Sequence, residues 1–274
     1  EYFGAGNDIK GWQLTMVLYG ALAAVIFFIT FISTKERIAP PPAQKTHPLE
    51  DIRDLLSNRP WLILFALAMI IMMTFTMRAG SSYYYFYYYV ERPELLPDYL
   101  FWQMIAYAAG ALLAPVMTRY VDKAKLLMLL MGTVGALSIL FYFVPKDMIW
   151  AMFTLNILIS LALGPKSPLT WSMYADTADY NEWKHGRRAT AMTFSAATFA
   201  QKLGGSLGSA GMLWILAAIG YAANQAQSGA SQTGIALLQT VFPGVFALIA
   251  VVVIRFYDLT GKQLERIQQE LEQR

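Results

Sequence analysis

The sequence predicts an all-α integral membrane protein. Hydrophobic residues make up 57% of its 274 residues and charged residues only 14%, whereas soluble domains contain about 25% charged residues. The mean hydropathy is +0.42, and apolar residues are grouped in stretches of about 20, the length of a membrane-spanning helix. Seven transmembrane helices are predicted, at about 12–34, 61–90, 99–118, 125–144, 148–174, 189–220 and 234–257.

The polar segments between and after these helices suggest a division of the chain into four parts. Residues 1–34 form a first transmembrane segment, and residues 35–60 form a proline-rich linker in which Leu49, Ile52 and Leu56 predict a short amphipathic helix. Residues 61–257 form a six-helix bundle. Residues 258–274 form a polar surface helix, predicted to rest on the bundle or on the membrane interface.

The distribution of basic residues predicts the orientation in the membrane. Of the 21 lysines and arginines, fifteen fall in one set of loops, and the opposite set holds Lys10, Arg92 and Lys146. The positive-inside rule places the linker and the C-terminus in the cytoplasm. The net charge of +3 is too small to indicate nucleic-acid binding.

Three cations, Arg78, Lys166 and Lys202, fall within predicted spans. A charge near the bilayer centre costs about 3 kcal/mol, so such residues commonly mark functional sites. Lys202 lies about 20 Å along its helix from the nearest charge, so we expect it to face a polar cavity or a buried partner. Arg78 and Lys166 lie nearer the membrane edges, where long side chains also reach the interface by snorkelling.

Two of these cations accompany predicted interruptions of helices. Arg78 precedes Gly80, and Lys166 lies within Gly164-Pro165-Lys166-Ser167-Pro168. Interrupted helices at matching places of repeated halves point to a transporter binding site, which we favour over simple packing kinks because a cation accompanies both interruptions. The tyrosine-rich run 83–89 reads mainly as an interfacial aromatic belt, with Tyr83 or Tyr84 near Arg78 as candidate sugar contacts.

Two charged segments on the predicted cytoplasmic side suggest a gate. The first is a charged loop at 175–188, and the second is the loop at 118–125. Alternating charges of this kind can form ion pairs that hold helices together in one state of a transport cycle. The candidate gate residues are Asp176, Asp179, Glu182, Arg187, Arg188, Arg119 and Asp122.

Several classes of site find no support in the sequence. The chain has no cysteine, and no carboxylate lies deep within a span, so neither a metal nor a coupling-cation site is predicted. No cofactor is expected, and no nucleophile–base pair within a span predicts an enzyme. The chain opens within a loop and without Met, so we expect further helices upstream.

The stretch from Trp171 to Tyr221 resembles the glycoside–pentoside–hexuronide:cation symporters. The matching pieces are Asp176-x-x-Asp179-Tyr180-x-Glu182, Arg187-Arg188, Ser195-x-x-Thr198-x-x-x-Lys202 and Ile219-Gly220-Tyr221. The resemblance implies a twelve-helix major facilitator fold of which this chain holds the last seven helices: the final helix of the N-terminal bundle and the whole C-terminal bundle. It implies Na⁺- or H⁺-coupled symport of a sugar or glycoside in a bacterial inner membrane.

The resemblance also implies roles for single residues. The family's lysine and threonine near its cation and sugar region correspond to Lys202 and Thr198, and its coupling carboxylates lie mostly in the N-terminal half. Trp171 is close to, but not aligned with, the family's sugar-site tryptophan, and Ala197 replaces a glutamine of melibiose permease. Melibiose is therefore not the expected substrate.

The predicted substrate-binding residues are Lys202, Thr198, Trp171, Arg78, Tyr83, Tyr84 and Lys166. The expected partners are the sugar, the lipid bilayer and the upstream helices of the same carrier. Two alternatives stay open: a lipid or lysolipid carrier of the same fold, and a solute receptor that binds without transporting.

Overall fold

The computed structural model describes residues 8–34, 48–186 and 190–273, and within these ranges the secondary structure is helical, without strands. The helices are α1 Asp8–Ser33, α2 Pro48–Ser57, α3 Arg59–Tyr84, α4 Leu96–Met117, α5 Lys123–Tyr142, α6 Ile149–Leu163, α7 Lys166–His185, α8 Thr190–Ala218, α9 Gly229–Gln239, α10 Val241–Ile254 and α11 Gly261–Glu272. A π-helical turn, Tyr85–Tyr89, extends α3, and a short 3-10 turn, Pro93–Leu95, precedes α4.

Among the described residues, six helical stretches are long and apolar enough to cross a membrane. They are Ile9–Ser33, Arg59–Tyr89, Pro93–Met117, Lys123–Tyr142, Ile149–His185 and Gly229–Ile254. The seventh predicted span, 189–220, is present as α8. This helix has 29 residues, but Lys202 and four glycines make it more polar than the other six.

The chain divides into two compact units, one containing α1 and the other containing α2 to α11. In the larger unit α3 is central and packs against α8 and α10. Helix α10 also packs against α5, α5 against α6, and α6 against α4. Helix α7 contacts α3, α4, α5 and α8, and α11 packs on α7.

Glycines bring the backbones of α3 and α8 unusually close together. A Cβ atom at Gly204 would overlap the backbone of Met69, and one at Gly208 would overlap the side chain of Thr76 and lie 2.9 Å from the Cα of Met73. Small residues at four-residue spacing allow such approach between membrane helices, where tight packing stabilises association. We call this contact the α3–α8 seam.

The predicted interruption at Gly164-Pro165 is confirmed, because α6 ends at Leu163 and α7 begins at Lys166. The predicted interruption at Arg78–Ser81 is wrong: α3 runs through Gly80, and the irregular π-turn follows only at Tyr85–Tyr89. A second break, at Thr240 between α9 and α10, was not predicted. Pro243 provides its physical cause, since a proline ring clashes with the carbonyl four residues earlier, here that of Gln239.

The predicted charged loop at 175–188 is also corrected, because α7 continues as a helix to His185. Its acids lie within the helix, and Lys184 and His185 occupy the last turn, where the helix dipole favours cations. Gly186 ends the helix in the left-handed conformation, with φ of 69°. The short linker helix is present as α2, and Ile267 of α11 is buried as expected for a helix resting on the bundle.

Candidate functional site

A polar stripe runs along the side of α8 that faces away from α3. Its members are Ser195, Thr198, Lys202, Ser206 and Ser209, and all are exposed in this chain. The opposite side of α8 carries the buried Ala197, Ala200, Gly204 and Gly208. Spacings of three and four residues place the five polar residues on one helix face. Lys202 makes no ion pair or hydrogen bond with any described residue, whereas Thr198 donates to the Phe194 carbonyl at 2.9 Å.

Beside this stripe, a cavity of about 220 Å³ lies between α3, α4, α7 and α8. Its polar lining residues are Lys166, Ser167, Thr170, Tyr107 and Gln201, and its apolar wall includes Phe75, Ile71 and Met72. Gln201 immediately precedes Lys202, so α8 contributes to the cavity on the flank of the polar stripe.

Lys166 is a buried cation at the wall of this cavity. The residue is only 7% exposed, and its ammonium nitrogen lies 5.2 Å from the centroid of the Phe75 ring. Within the described part of the chain it has neither an ion pair nor a hydrogen bond. Lys166 therefore does not snorkel to an interface, and the break between α6 and α7 places it in the first turn of α7.

The aromatic residues that were predicted to bind substrate lie in two separate regions of the bundle. The ring of Trp171 on α7 stacks on that of Phe194 on α8, with centroids 5.7 Å apart, next to the polar stripe. Tyr83 stacks on Tyr87 at 4.2 Å, at the far end of α3, and Tyr84 packs edge-on against Tyr221. The tyrosines at the end of α3 contact one another and Tyr221, an arrangement compatible with an interfacial aromatic belt. None of the contacts described for Tyr83 and Tyr84 involves Arg78.

Arg78 lies inside the bundle, 2% exposed, and not at the cavity. Its Nη2 donates to Asn156 Oδ1 at 2.8 Å and approaches the Tyr99 hydroxyl at 3.5 Å. Gln239 Nε2 donates to the same hydroxyl at 3.1 Å, and Ser81 donates to Gln239 Oε1 at 2.6 Å. This Arg78 network joins α3, α4, α6 and α9, so the structure does not bring Arg78 together with Lys166 and Lys202.

An ion pair joins α5 to α7 at the end of the bundle where α3 begins. Lys123 Nζ lies 2.7 Å from Asp176 Oδ2, and Asp176 is 9% exposed. Asp122 caps α5 by accepting from the Ala124 N–H at 3.1 Å, and its other oxygen accepts from the Gly261 N–H at 3.1 Å. These contacts tie the 118–125 segment to both α7 and α11.

Further contacts gather other elements at the same end, which we call the basic end. Asn58 donates to the Thr177 carbonyl at 3.0 Å, and Trp183 Nε1 donates to Glu270 at 2.6 Å. Tyr257, beyond the end of α10, is half-buried near Asp176 and Asp122. Burial raises the pKa of its phenol, and the neighbouring carboxylates raise it further.

The remaining predicted gate residues differ in their exposure. Asp179 and Glu182 are half-buried on α7, and Arg119 is exposed and makes no ion pair with a described residue. Arg187 and Arg188 lie outside the described residues. The described residues contain no cluster of three or more His, Asp or Glu side chains that could hold a metal ion.

Several residues that form these sites were not singled out by sequence reasoning. Lys123 was seen only as part of its loop, although its position beside the helix-capping Asp122 is a usable signal. Asn156, Tyr99 and Gln239 are polar residues in apolar spans, and this pattern predicts buried hydrogen bonds but not their partners. Tyr107 and Gln201 lie on helix faces that only the packing identifies.

Comparison with known proteins identifies the class of protein to which this chain belongs. A family profile described as "MFS/sugar transport protein" matches residues 2–261. The chain is 30% identical over 98% of its length to the inner membrane symporter YicJ of Escherichia coli, and 29% identical over 98% to the putative glycoside/cation symporter YagG of the same organism. It is 31% identical over 94% to the isoprimeverose transporter of Lactiplantibacillus pentosus.

These matches define a membrane transporter of the major facilitator superfamily, a class of carriers and not of enzymes. The chain belongs to the glycoside–pentoside–hexuronide:cation symporter family, with similarity to the C-terminal part of its members. It spans 59%, 58% and 54% of the length of the three relatives named above.

Proposed function

We propose that this chain forms the C-terminal part of a secondary active carrier that moves a sugar or glycoside by alternating access, together with Na⁺ or H⁺. The observation that carries the proposal is the polar stripe of α8 with Lys202 at its centre. Exposing a lysine in the middle of a membrane helix to lipid costs about 3 kcal/mol. The stripe is therefore better suited to contact water or another protein surface than lipid.

The cavity beside the stripe supports the same function. Its volume of about 220 Å³ is below the 300–1,000 Å³ common for ligand pockets. In the proposed carrier this cavity is therefore one part of a larger binding site, which an upstream helical bundle would complete. Hydroxyl and amide groups from Ser167, Thr170 and Gln201 can exchange hydrogen bonds with sugar hydroxyls, while Phe75 offers an apolar ring face. Trp171 does not line this cavity, and its ring stacks on Phe194 next to the polar stripe.

In the proposed carrier, the coupling ion binds to carboxylates of the upstream helices. Lys202 would face them from the polar stripe, so its charge is paired with an acid when the ion is absent and the two bundles are in contact. Through this linkage, binding of the ion would change the affinity of the sugar site. The chain would lie in a bacterial inner membrane, with the basic end and the C-terminus in the cytoplasm, as the distribution of basic residues indicates.

Alternating access requires contacts that form in one state and break in another. We assign this role to the basic end, where the Lys123–Asp176 ion pair joins α5 to α7 and Asp122 reaches α11. These side chains lie apart from the cavity-lining residues, so they are suited to controlling access without touching the sugar.

The names of the relatives favour sugar transport over a lipid or lysolipid carrier. A receptor that binds without transporting would retain the cavity and the stripe but lack accumulation. Uptake measured against a sugar gradient therefore separates the carrier from the receptor, and competition by lysolipid separates a lipid carrier from a sugar carrier.

Replacing Lys202 by Met in the full-length carrier tests the proposal. This substitution nearly preserves the length and apolar stem of the side chain and removes its charge. We expect accumulation of radiolabelled sugar into proteoliposomes to fall to background, because the charge link between the stripe and the upstream carboxylates is lost. Membrane insertion, measured by immunodetection in isolated membranes, should stay normal.

The matched control is Lys146→Met, which removes an exposed lysine in the α5–α6 loop. We expect this variant to accumulate sugar like the unaltered protein. If Lys202→Met also accumulates sugar normally, the proposed central role of the stripe is wrong.

A further inference from the structure

We infer that the Lys166 cavity selects a substrate that carries a carboxylate, so that the transported solute is a sugar acid and not a neutral sugar. This inference rests on the proposed transport function and assigns its substrate class. It starts from the charge of Lys166, a residue 93% buried at the wall of a cavity large enough to admit a polar group.

The contacts of Lys166 do not compensate for burying its charge. The Phe75 ring supplies a cation–π interaction, worth about 2 kcal/mol when desolvated. The effective penalty for burying an ion is several kcal/mol, and the described residues offer no carboxylate within ion-pair distance of Lys166. A counter-charge that enters the cavity would therefore stabilise the ammonium form of Lys166.

The fold adds a second positive element at the same point. Lys166 occupies the first turn of α7, and Pro165 before it provides no side-chain cap. The N-terminus of a 20-residue helix carries a partial positive charge, which stabilises anions by about 0.3–1 kcal/mol. The ammonium and the helix end together favour an anionic group over a hydroxyl.

The neighbouring residues fit the rest of a sugar acid. Ser167, Thr170, Tyr107 and Gln201 line the cavity and can donate to or accept from ring hydroxyls, and Phe75 and Ile71 provide apolar surface. Lysine binds a carboxylate as a point charge, so it discriminates by charge more than by the stereochemistry of the ring. Selectivity for the acid and tolerance of the sugar ring are the expected combination.

A carboxylate could also come from the protein itself, as an acidic side chain of the upstream helices. The two sources differ in what the removal of Lys166 does. If the substrate supplies the carboxylate, only binding of the acid depends on Lys166. If a protein side chain supplies it, acidic and neutral sugars lose affinity alike.

The experiment compares matched pairs of ligands on the purified full-length carrier in nanodiscs: p-nitrophenyl glucuronide against glucoside, and galacturonide against galactoside. Dissociation constants are measured by calorimetry. We expect the unaltered carrier to bind the acid of at least one pair about tenfold or more tightly than its neutral partner, which corresponds to about 1.4 kcal/mol.

Lys166→Gln should weaken binding of the acid by about 30-fold or more, and should leave binding of the neutral sugar within about threefold. Lys166→Arg keeps the charge and should retain the preference for the acid. Lys146→Gln, in an exposed loop, should change neither affinity.

Preference of the unaltered carrier for the neutral sugars would overturn this inference and leave sugar transport standing. An equal loss of both ligands in Lys166→Gln would also overturn it and assign the counter-charge to the protein. Binding of none of the four ligands would overturn the inference and count against sugar transport as well.

Discussion

At the scale of single residues, the least expected feature is Arg78 in the interior of the bundle. Its position near the outer end of α3 suggested snorkelling or substrate binding, yet its guanidinium donates to Asn156 and lies 5.9 Å from the Phe141 ring. Nε and Nη1 of Arg78 have no partner among the described residues. The bond to Asn156 is therefore the principal compensation for a buried charge.

Replacing Asn156 by Leu should destabilise the bundle by about 1.5–3 kcal/mol, the range for a hydrogen bond to a charged group. The partner left behind is a buried cation, which makes the loss larger than for a neutral pair. The measurement is thermal unfolding of the purified carrier, followed by tryptophan fluorescence.

The double variant Arg78→Met, Asn156→Leu removes both groups and leaves no unpaired charge. It should recover a large part of the stability lost in Asn156→Leu, since apolar replacements of buried polar pairs are often tolerated. A double variant that is less stable than Asn156→Leu alone would show that Arg78 gains its stabilisation from other partners.

At the scale of helices, the α3–α8 seam decides the architecture around the cavity. Gly204 and Gly208 on α8 face the backbone of α3 so closely that added methyl groups would overlap Met69 and Thr76. At Gly204 the overlapping atoms belong to the main chain, and at Gly208 the main-chain Cα of Met73 also lies only 2.9 Å from the added atom, so a change of side-chain rotamer cannot make room. The seam therefore depends on glycine itself.

Gly204→Ala should reduce the yield of folded carrier and lower its stability, since α8 must move away from α3 to admit the methyl group. Overpacking of this kind costs about 1–3 kcal/mol. Size-exclusion profiles and thermal unfolding provide the measurement.

Gly211→Ala on the same helix is the matched control, because a Cβ there would meet only the Met77 side chain at 3.8 Å. This change should be neutral or slightly stabilising, as alanine favours helix over glycine. Equal stability of the two alanine variants would contradict the importance of the seam.

The positions of the helices were predictable from hydrophobic length, because a membrane helix must be apolar over about 20 residues. The interruption at Gly164-Pro165 was predictable as well, since proline disrupts helical hydrogen bonding. The predicted interruption at Arg78–Ser81 was wrong because a single glycine among helix-compatible residues does not end a helix that is packed on both sides. The Thr240 break has a sequence signal in Pro243, whose ring disrupts the hydrogen bonding of the preceding turn.

At the scale of the whole molecule, the basic end connects elements that are distant in sequence. Asp176 of α7 meets Lys123 of α5, Asp122 meets the start of α11, and Trp183 of α7 meets Glu270 of α11. The charge pattern predicted that acids and bases would cluster here. It could not predict which of them pair, because pairing depends on how three helices converge.

Asp176→Asn removes one charge of the Lys123–Asp176 pair and should change turnover with little effect on sugar affinity. The pair lies apart from the cavity lining, so its loss alters the balance between conformations and not the contacts with sugar. The measurement combines uptake rates in proteoliposomes with equilibrium binding. Because the Lys123 side chain is one-third exposed and water can solvate it when the pair is lost, a change of about two- to tenfold in rate is expected.

Exchanging the two charges, as Lys123→Asp with Asp176→Lys, should restore part of the lost rate, because the attraction between α5 and α7 returns. Loss of sugar binding in Asp176→Asn, with the uptake rate per bound sugar unchanged, would place Asp176 in the binding site and exclude the gate role.

The α3–α8 seam also limits how the carrier can move. Where two backbones touch without intervening side chains, neither can rotate or slide without collision, so α3 and α8 form a single stiff plate. The Lys166 cavity is partly set into this plate, and the polar stripe is its outer edge. In the proposed transport cycle, α3 and α8 would therefore tilt together as one rigid body when the cavity opens to one side of the membrane or the other.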